Sequence, residues 1–518
     1  MKEVAKHRQA AAVRFTAAFL FVALTLAFAV HTADSADRVF VHMLTTAPSV
    51  LDPAKSNRID DDQVMWLIYD ALTQLSADGA RMIPALAERW EASPDDLTYT
   101  FTLRNNVRFH DGSLVDAEAV KASYERQFLK GSPFYNNVPP NAYENVMSRL
   151  VKSVRVIDSR TVEISTHYAR PSQFALVKIV SPTALKKHGG DLSGTPVGTG
   201  PFRLARWEGK EVALSAFADS WHGRPKLDGV RFPAYEAPTE MVDSLIRGDS
   251  HLLAHLPPDY FEQFRGNPQV HLLKYGGLNV MYIGMVLDRP IFKDRRVREA
   301  IVRAVDRNRL ATVLGRGAMI PAKGPLPPGC GGFDPEVSQP PYDNERARAL
   351  LRDAGVSSPR LRLLYNSPSP VWLEIVQAVQ ADLAKVGVTV DLVSTSSWAD
   401  FHTERKKNAH DLFFYNWAIS TPDPDRLLPA LFRSDSSDNY TRLANPRVDK
   451  LLDEAQKPMD LGPRLQLYSQ VNRLVVDEIP AIFLVHRIGM AGVSNRVTGL
   501  TLNLYGLPQD KLSKVEIR

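Results

Sequence analysis

The sequence contains a single cysteine, Cys330, among 518 residues. One thiol cannot form a disulfide within the chain, so the fold must be stabilised by burial of apolar surface. Charge of one sign is not in excess either, since 63 Lys and Arg residues are balanced by 58 Asp and Glu residues. Near-balance of charge does not provide the basic surface that nucleic-acid binding requires, so we expect no nucleic-acid partner.

Long apolar runs are also scarce. The clearest run covers residues 15–30, behind a basic stretch at 2–14 and ahead of the small residues Ala33 and Ser35. Its length of about 16 residues falls short of the roughly 20 that cross a bilayer. This pattern predicts a cleavable signal peptide over residues 1–35 and export to the periplasm. No cysteine lies at the exit of this segment, so we do not expect a lipoprotein.

The chain that remains is longer than one hydrophobic core usually supports, which predicts two or three lobes. In its first half, LTYTFTL at 97–103 alternates as a half-buried strand does, and we expect it to form a hairpin with 107–109. A capping pattern and apolar helical spacing predict a helix over 114–129. A second hairpin is predicted between 151–157 and 161–165. These elements indicate a small α+β region.

The second half has a different pattern. Strand-like segments at 361–366 and 388–393 flank an amphipathic helix that ends near Gly387, which predicts a βαβ unit with parallel strands and a right-handed crossover. Further helices are predicted at 295–314 and 345–354 from their capping residues and glycine stops.

Signals for catalysis or metal binding are weak. GDSH at 248–251 superficially resembles a nucleophile motif, but no Gly-x-Ser-x-Gly elbow is present. His251 and His255 are four residues apart without a His-Glu-x-x-His pattern. The Pro- and Gly-rich segment 321–333 is predicted to be a long surface loop within one lobe, which would expose Cys330. We therefore expect no catalytic residue, no metal ligand and no cofactor.

Five segments resemble, in order and spacing, the solute-binding proteins of ABC importers. The most recognisable is the stretch with the FHDG turn at 68–126, and the others lie at 196–204, 292–307, 342–355 and 445–455. The resemblance is to family 5, the peptide/nickel class that includes dipeptide- and oligopeptide-binding proteins.

This resemblance implies a bilobal α/β fold of the large periplasmic class, with an extra hairpin-rich subdomain and two lobes joined by hinge strands. The expected lobe I core comprises 36–66, 194–280 and 492–518. Residues 67–193 would form the insertion subdomain, and 281–490 would form lobe II.

The hinge is expected at two strand crossings, near 278–284 and 486–491. Glycines occur at both places, among them Gly277 and Gly489. They would either allow backbone rotation or relieve crowding where the lobes join.

The resemblance also implies a function. A ligand that contacts both lobes stabilises the closed form, and the closed form suits the permease. We expect a monomeric binding protein and not an enzyme, which delivers peptides or peptide-like solutes to an inner-membrane ABC permease with its ATPase. Two alternatives stay open: an opine or other amine-poor solute, and a nickel or haem cargo.

Family analogy points to two ligand-contacting segments, one at 45–47 and one at 415–425. In peptide-binding relatives, an aspartate three residues after the tryptophan pairs with the ligand's α-amine, and here that position is Ser420. Either Asp423 or Asp425 substitutes, or the ligand has no free amine; a helix-capping role is favoured for Asp425. The residues expected to bind ligand are Thr45, Thr46, Ala47, Trp398, Tyr415, Asn416, Trp417, Ser420 and Asp423.

Overall fold

The computed structural model describes residues 38–56, 58–76, 81–135, 147, 150–167, 171–366, 370–419, 421–457 and 461–518. The predicted signal peptide at 1–35 lies outside these residues, as does Ser420.

The described residues form both strands and helices. The strands are β1 (Val39–Met43), β2 (Thr73–Leu75), β3 (Met82–Pro84), β4 (Ala87–Ala92), β5 (Thr98–Leu103), β6 (Val151–Asp158), β7 (Thr161–Thr166), β8 (Phe202–Glu208), β9 (Glu211–Ala216), β10 (Gly229–Pro233), β11 (Leu252–Leu253), β12 (Val270–Tyr275), β13 (Asn279–Met285), β14 (Met319–Pro321), β15 (Arg360–Asn366), β16 (Thr389–Thr395), β17 (Leu412–Ala418), β18 (Ala481–Arg487), β19 (Gly489–Ser494), β20 (Val497–Thr498) and β21 (Glu516–Ile517). The α-helices are α1 (Ile59–Ile68), α2 (Ala117–Glu125), α3 (Pro182–Lys187), α4 (Pro238–Arg247), α5 (Phe261–Phe264), α6 (Arg295–Arg303), α7 (Arg307–Arg309), α8 (Asn344–Asp353), α9 (Pro370–Ala384), α10 (Trp398–Lys406), α11 (Leu428–Phe432), α12 (Pro446–Ala455) and α13 (Leu461–Glu478). Short 3-10 helices cover Pro171–Ala175, Pro258–Tyr260, Pro290–Phe292 and Pro424–Arg426, and a π-helical turn covers Leu310–Leu314.

Lobe I is built on a seven-stranded sheet with the order β12-β19-β11-β1-β10-β9-β8. Strand β1 lies in its middle and pairs in parallel with β10 and β11. Strand β19, from the C-terminal part of the chain, runs antiparallel to β11 and β12. Phe40, Leu214 and Val230 from this sheet are buried in one core with side chains of α1. Segments from distant parts of the sequence therefore close the same core.

Lobe II is built on a six-stranded sheet with the order β14-β18-β13-β17-β15-β16. Every residue of β13 is buried, because apolar clusters cover both faces of the sheet. Strands β15 and β16 pair in parallel from Arg360–Thr389 to Asn366–Thr395 and are connected through α9. The βαβ prediction is confirmed.

The segment between α1 and α3 contains a four-stranded sheet with the order β4-β5-β7-β6. The predicted hairpin between 151–157 and 161–165 is confirmed, since β6 and β7 pair antiparallel. The predicted hairpin between 97–103 and 107–109 is wrong. Both edges of β5 are already occupied by β4 and β7, and residues 107–109 lie outside the sheet.

Two predicted helices are shorter than expected, and each has a local cause. Helix α2 starts only after Asp116, whose carboxylate accepts a hydrogen bond from the backbone of Ala119 at 2.8 Å. The helix expected over 295–314 begins after Asp294 as predicted but ends at Arg303. A new cap at Asp306 then starts α7, so the segment is broken into separate turns.

The segment 321–333 is largely buried, which corrects the surface-loop prediction. Ala322, Leu326 and Cys330 contribute to the lobe II core. The Cys330 thiol donates to the Pro422 carbonyl at 3.1 Å, and burial raises the pKa of this thiol well above its ordinary value. Proline and glycine mark this segment as irregular, but its apolar side chains place it inside the lobe.

The chain passes between the two sheets at two neighbouring places, from Tyr275 to Asn279 and from Arg487 to Gly489. A Cβ atom at Gly277 would lie 1.8 Å from the Arg487 carbonyl oxygen, and one at Gly489 would lie 1.9 Å from the Tyr275 ring. Neither glycine has a positive φ. Glycine is therefore required here by the close approach of the two crossing segments, in agreement with the crowding alternative.

Candidate ligand-binding cleft

A cavity of about 610 Å³ lies where the two lobes face each other. Lobe I supplies most of its wall, from α1, the 69–76 and 173–178 segments and the C-terminal segment 503–511, and lobe II adds Ile419 and Arg426. A cavity of this size accommodates a small organic solute. It is the place where one molecule can contact both lobes.

The lobe I wall contains a fully buried ion pair. The ammonium group of Lys511 lies 2.7 Å from Asp70, and both side chains are at most 4% exposed. Trp221 and Thr199 donate to the second oxygen of Asp70, at 2.9 and 2.8 Å. Burial alone would raise the pKa of Asp70, but Lys511 and His222 hold it well below its ordinary value. This carboxylate is therefore charged and has no unused charge to offer a ligand.

Lys511 also fixes the C-terminal segment against α1. Its ammonium group donates to the carbonyl oxygens of Trp66, at 2.8 Å, and Tyr69. The Trp66 indole in turn donates to the Pro508 carbonyl at 2.7 Å. The lobe I wall is therefore held in place before any ligand arrives.

The second carboxylate on this wall is also paired. Lys178 donates to Asp62 at 3.0 Å across the cavity margin. Asp60, two residues earlier on α1, does not line the cavity and accepts hydrogen bonds from Thr45 and Thr46. The acidic side chains at the start of α1 thus serve the lobe I structure.

The lobe II wall has a different chemistry. Arg426 ends the short 3-10 helix Pro424–Arg426 and is exposed to the cavity. Within the described part of the chain, its guanidinium makes no ion pair or hydrogen bond. Ile419 provides an apolar contact beside it.

The acids around Arg426 are engaged inside lobe II. Asp423 accepts hydrogen bonds from the two terminal nitrogens of the Arg464 guanidinium, at 3.0 and 3.1 Å. Its carboxylate also caps the 3-10 helix by accepting a hydrogen bond from the backbone N–H of Asp425. Asp425 accepts a hydrogen bond from the Tyr468 hydroxyl at 2.9 Å. The capping role that we expected of Asp425 therefore belongs to Asp423, because its side chain is the one that faces the first turn.

Three of the residues expected to bind ligand form a row of aromatic rings on lobe II. The ring centroid of Tyr415 lies 5.0 Å from that of Trp398 and 5.9 Å from that of Trp417. We call these three residues the aromatic row. All are half-buried and pack against the lobe II core, against which Leu504 and Tyr505 of the cavity lining also pack. The row itself does not line the cavity.

The other expected residues are placed apart from this row. Asn416 lies on the opposite face of β17, where it accepts a hydrogen bond from Asn279 at 2.8 Å beside the lobe crossing. Thr45 and Thr46 bind Asp60, and the Ala47 carbonyl accepts from Arg58. The described residues among the expected set do not line the cavity themselves.

Sequence reasoning missed five charged side chains of the cavity. A local signal existed for Arg426, which directly follows the Asp-Pro-Asp segment. No local signal could reveal the others, because Asp70 and Lys511, like Asp62 and Lys178, are far apart in sequence. The missed residues are Asp62, Asp70, Lys178, Arg426 and Lys511.

Ser250 and His251 are buried in lobe I and are not placed as a catalytic pair. The Ser250 hydroxyl contacts the Ser244 hydroxyl at 2.7 Å, while His251 accepts a hydrogen bond from the Val41 backbone at 2.9 Å. Among the described residues, no group of three or more His, Cys, Asp and Glu side chains is placed to hold a metal ion.

The comparisons with known proteins agree with this architecture. The family model of the bacterial extracellular solute-binding proteins, family 5 Middle, matches residues 81–439. The chain belongs to this family. It is 30% identical over 506 residues to heme-binding protein A of Haemophilus influenzae, covering 91% of both chains. It is 27% identical to the dipeptide-binding protein of Escherichia coli, covering 85% of this chain and 87% of that protein.

The fold of this solute-binding protein is also that of solved relatives. The structure of HbpA2 from Haemophilus parasuis superimposes with a TM-score of 0.85 at 29% identity, covering 93% of this chain and 100% of that one. The predicted family and the bilobal α/β fold are thus confirmed. In the described part of the solute-binding protein, helices of sufficient length and apolarity to span a membrane are absent.

Proposed function

We propose that this protein is the periplasmic solute-binding component of an ABC importer and captures peptides or peptide-like solutes between its lobes. The observation that carries the proposal is the cavity of about 610 Å³, which has wall residues from both lobes. A relative that covers most of the chain is named a dipeptide-binding protein, which supports the peptide class.

Closure of the lobes would supply the signal for delivery. A solute that contacts both walls binds the closed form more tightly and shifts the population towards it. The crossing segments at 275–279 and 487–489 are short, so few backbone torsions need to change. The closed form then docks on the inner-membrane permease, whose ATPase drives transport.

The remaining assignments are part of the same proposal. The signal peptide at 1–35 is removed on export and leaves a monomer that carries no lipid and performs no catalysis. Residues 36–66, 194–280 and 492–518 form the lobe I core, 67–193 form the insertion subdomain, and 281–490 form lobe II.

Calorimetry and small-angle scattering of the exported protein test this proposal together. Titration with a panel of dipeptides and tripeptides should give saturable binding, and the radius of gyration should fall when a bound peptide closes the cleft. Absence of binding across the panel would refute the peptide assignment. Binding without any compaction would refute closure.

Haem is the second candidate cargo, because a relative 30% identical over nearly the whole chain is named a heme-binding protein. The aromatic row offers flat surfaces on which a porphyrin could pack. Adding hemin to the purified protein and recording the Soret band decides between the two cargoes. A saturable shift at stoichiometric hemin that peptides do not displace would favour haem.

A further inference from the structure

The charges of the cavity do not cancel. Among the described residues that line it, the two carboxylates are Asp62 and Asp70, and each is paired with a lysine of the same wall, at 3.0 and 2.7 Å. Arg426 is the additional cation, and it has no partner within the described residues. The cavity therefore presents one uncompensated positive charge, which comes from lobe II.

Among the described residues that line the cavity, an ammonium group would find no free carboxylate. Asp423, which the sequence offered as a replacement for the aspartate missing at Ser420, has a side chain that is only 10% exposed and forms a bidentate ion pair with Arg464. Displacing such a pair would leave a buried arginine without its partner, which is costly. Asp70 is likewise saturated by Lys511 and three other donors.

A carboxylate, by contrast, matches what the cavity offers. A guanidinium has donors in a planar fork that fits the two oxygens of a carboxylate, and charge-assisted hydrogen bonds of this kind are about twice as strong as neutral ones. Arg426 lies on the lobe opposite the larger wall, so a solute held by lobe I meets it only when it also contacts lobe II. Binding at Arg426 would thus favour the closed form.

We propose that Arg426 selects solutes that carry a carboxylate and that the site does not recognise a free amine. This inference rests on the proposed function and deepens it. The solute class is anionic: a peptide with a free C-terminus and a blocked or unused N-terminus, or a related amine-poor acid.

The test uses one peptide in three chemical forms: Leu-Leu, N-acetyl-Leu-Leu and Leu-Leu-amide. Calorimetry with wild-type protein should show that acetylation changes the Kd by less than about threefold, while amidation of the carboxylate weakens binding at least about tenfold. Arg426→Gln should weaken binding of both acids at least about tenfold and leave the amide within about threefold.

Arg447→Gln is the matched control, because Arg447 is an exposed arginine on lobe II that does not line the cavity. It should bind all three forms as the wild type does. The inference is overturned if the amide binds as tightly as the acid, if acetylation abolishes binding, or if Arg426→Gln weakens acid and amide equally. Equal melting temperatures of the two variants and the wild type exclude misfolding as the cause.

A second arm separates this inference from the peptide assignment. The natively exported protein is denatured, and the solutes that it releases are treated to form methyl esters. Mass spectrometry then counts the carboxylates, because each one increases the mass of the solute by one methyl increment. Carboxylated peptides that are depleted in Arg426→Gln support both proposals. A carboxylated non-peptide with the same dependence refutes the peptide class and supports the anionic site. A released solute without a carboxylate overturns the inference, and failure of both arms to show any bound solute refutes both proposals.

Discussion

The two walls of the cleft differ in whether their charged side chains are already paired within the protein. On lobe I, Asp70 and Lys511 neutralise each other and Lys178 neutralises Asp62. On lobe II, Arg426 lines the cavity without a partner among the described residues, and the aromatic row, which does not line it, is half-buried. The charged groups of the lobe I wall are therefore already paired with one another, whereas Arg426 on lobe II is available to pair with a ligand. Discrimination among solutes should depend more on lobe II.

The largest predicted effect is a loss of stability when the buried ion pair of the lobe I wall is broken. Lys511→Met removes the ammonium group and leaves the Asp70 carboxylate buried without its main partner. Removing one member of a buried pair typically costs about 3–5 kcal/mol, and we expect the free energy of unfolding to fall by that amount in urea titrations.

Arg360→Met on lobe II is the control for the Lys511 substitution. Arg360 pairs with Asp391 through side chains that are 71% and 39% exposed, so its loss should not change stability measurably. If both variants were equally stable, the ion pair behind the lobe I wall would have no structural role.

The second prediction concerns the connection between the walls. Gly277→Ala would place a methyl group against the backbone carbonyl of Arg487, which cannot rotate away as a side chain can. Overpacking of this kind costs up to about 3 kcal/mol unless the crossing segments separate. We expect lower thermal stability and a changed radius of gyration of the unliganded protein.

Gly131→Ala is the control for this substitution, because nothing lies within 4 Å of the added methyl group. It should have the wild-type melting temperature. An unchanged Gly277→Ala protein would show that the crossings are not closely packed in solution.

The third prediction is that stability depends on pH through His486, which lies in lobe II next to the same crossing. Burial lowers the pKa of His486 from 6.5 to about 4, and its Nδ1 donates to the Asn279 carbonyl at 2.8 Å. The unfolded chain therefore binds a proton below pH 6.5 that the folded chain does not bind until about pH 4. Stability is fully present above pH 6.5 and falls through this window, by about 2 kcal/mol between pH 7.5 and pH 5 for this residue.

His486→Asn retains a donor to Asn279 but removes the titrating group, so its loss of stability on acidification should be smaller than that of the wild type. Identical slopes for His486→Asn and the wild type, measured by urea unfolding at several pH values, would contradict the assignment.

Sequence reasoning was correct where the interacting residues are close together in the chain. It was wrong where the structure depends on residues that are far apart in the chain. The βαβ unit and the 151–165 hairpin were predictable because apolar spacing and turn residues lie within a few positions of each other. The hairpin at 97–109 was predicted wrongly because strand pairing with β4 and β7 competed with the local turn. The helix expected over 295–314 was predicted as continuous because its apolar spacing did not reveal that Asp306 caps a new helical turn.

For the candidate site, the same distinction applies. Tyr415 and Trp417 were expected from family analogy, and strand alternation places them on one face of β17. Their contact with a ligand stays a prediction. The paired charges of lobe I could not be predicted, because Lys511 reaches Asp70 from the other end of the chain. Nor could the engagement of Asp423, since its partner Arg464 lies on a later helix. Which acids are free for a ligand is a property of tertiary structure.

The smallest predicted effect compares a tryptophan of the lobe I wall with a tryptophan of the aromatic row on lobe II. Trp417 is half-buried in the aromatic row of lobe II, and Trp417→Ala should weaken binding of the preferred solute by about fivefold, or about 1 kcal/mol, with little loss of stability. Trp66 on lobe I donates to the Pro508 carbonyl and lies 4.8 Å from the Lys511 ammonium, so Trp66→Ala should mainly lower the melting temperature. Calorimetry and thermal unfolding of both variants measure the two effects. If Trp417→Ala bound as the wild type does while Trp66→Ala lost affinity at unchanged stability, the assignment of discrimination to lobe II would be reversed.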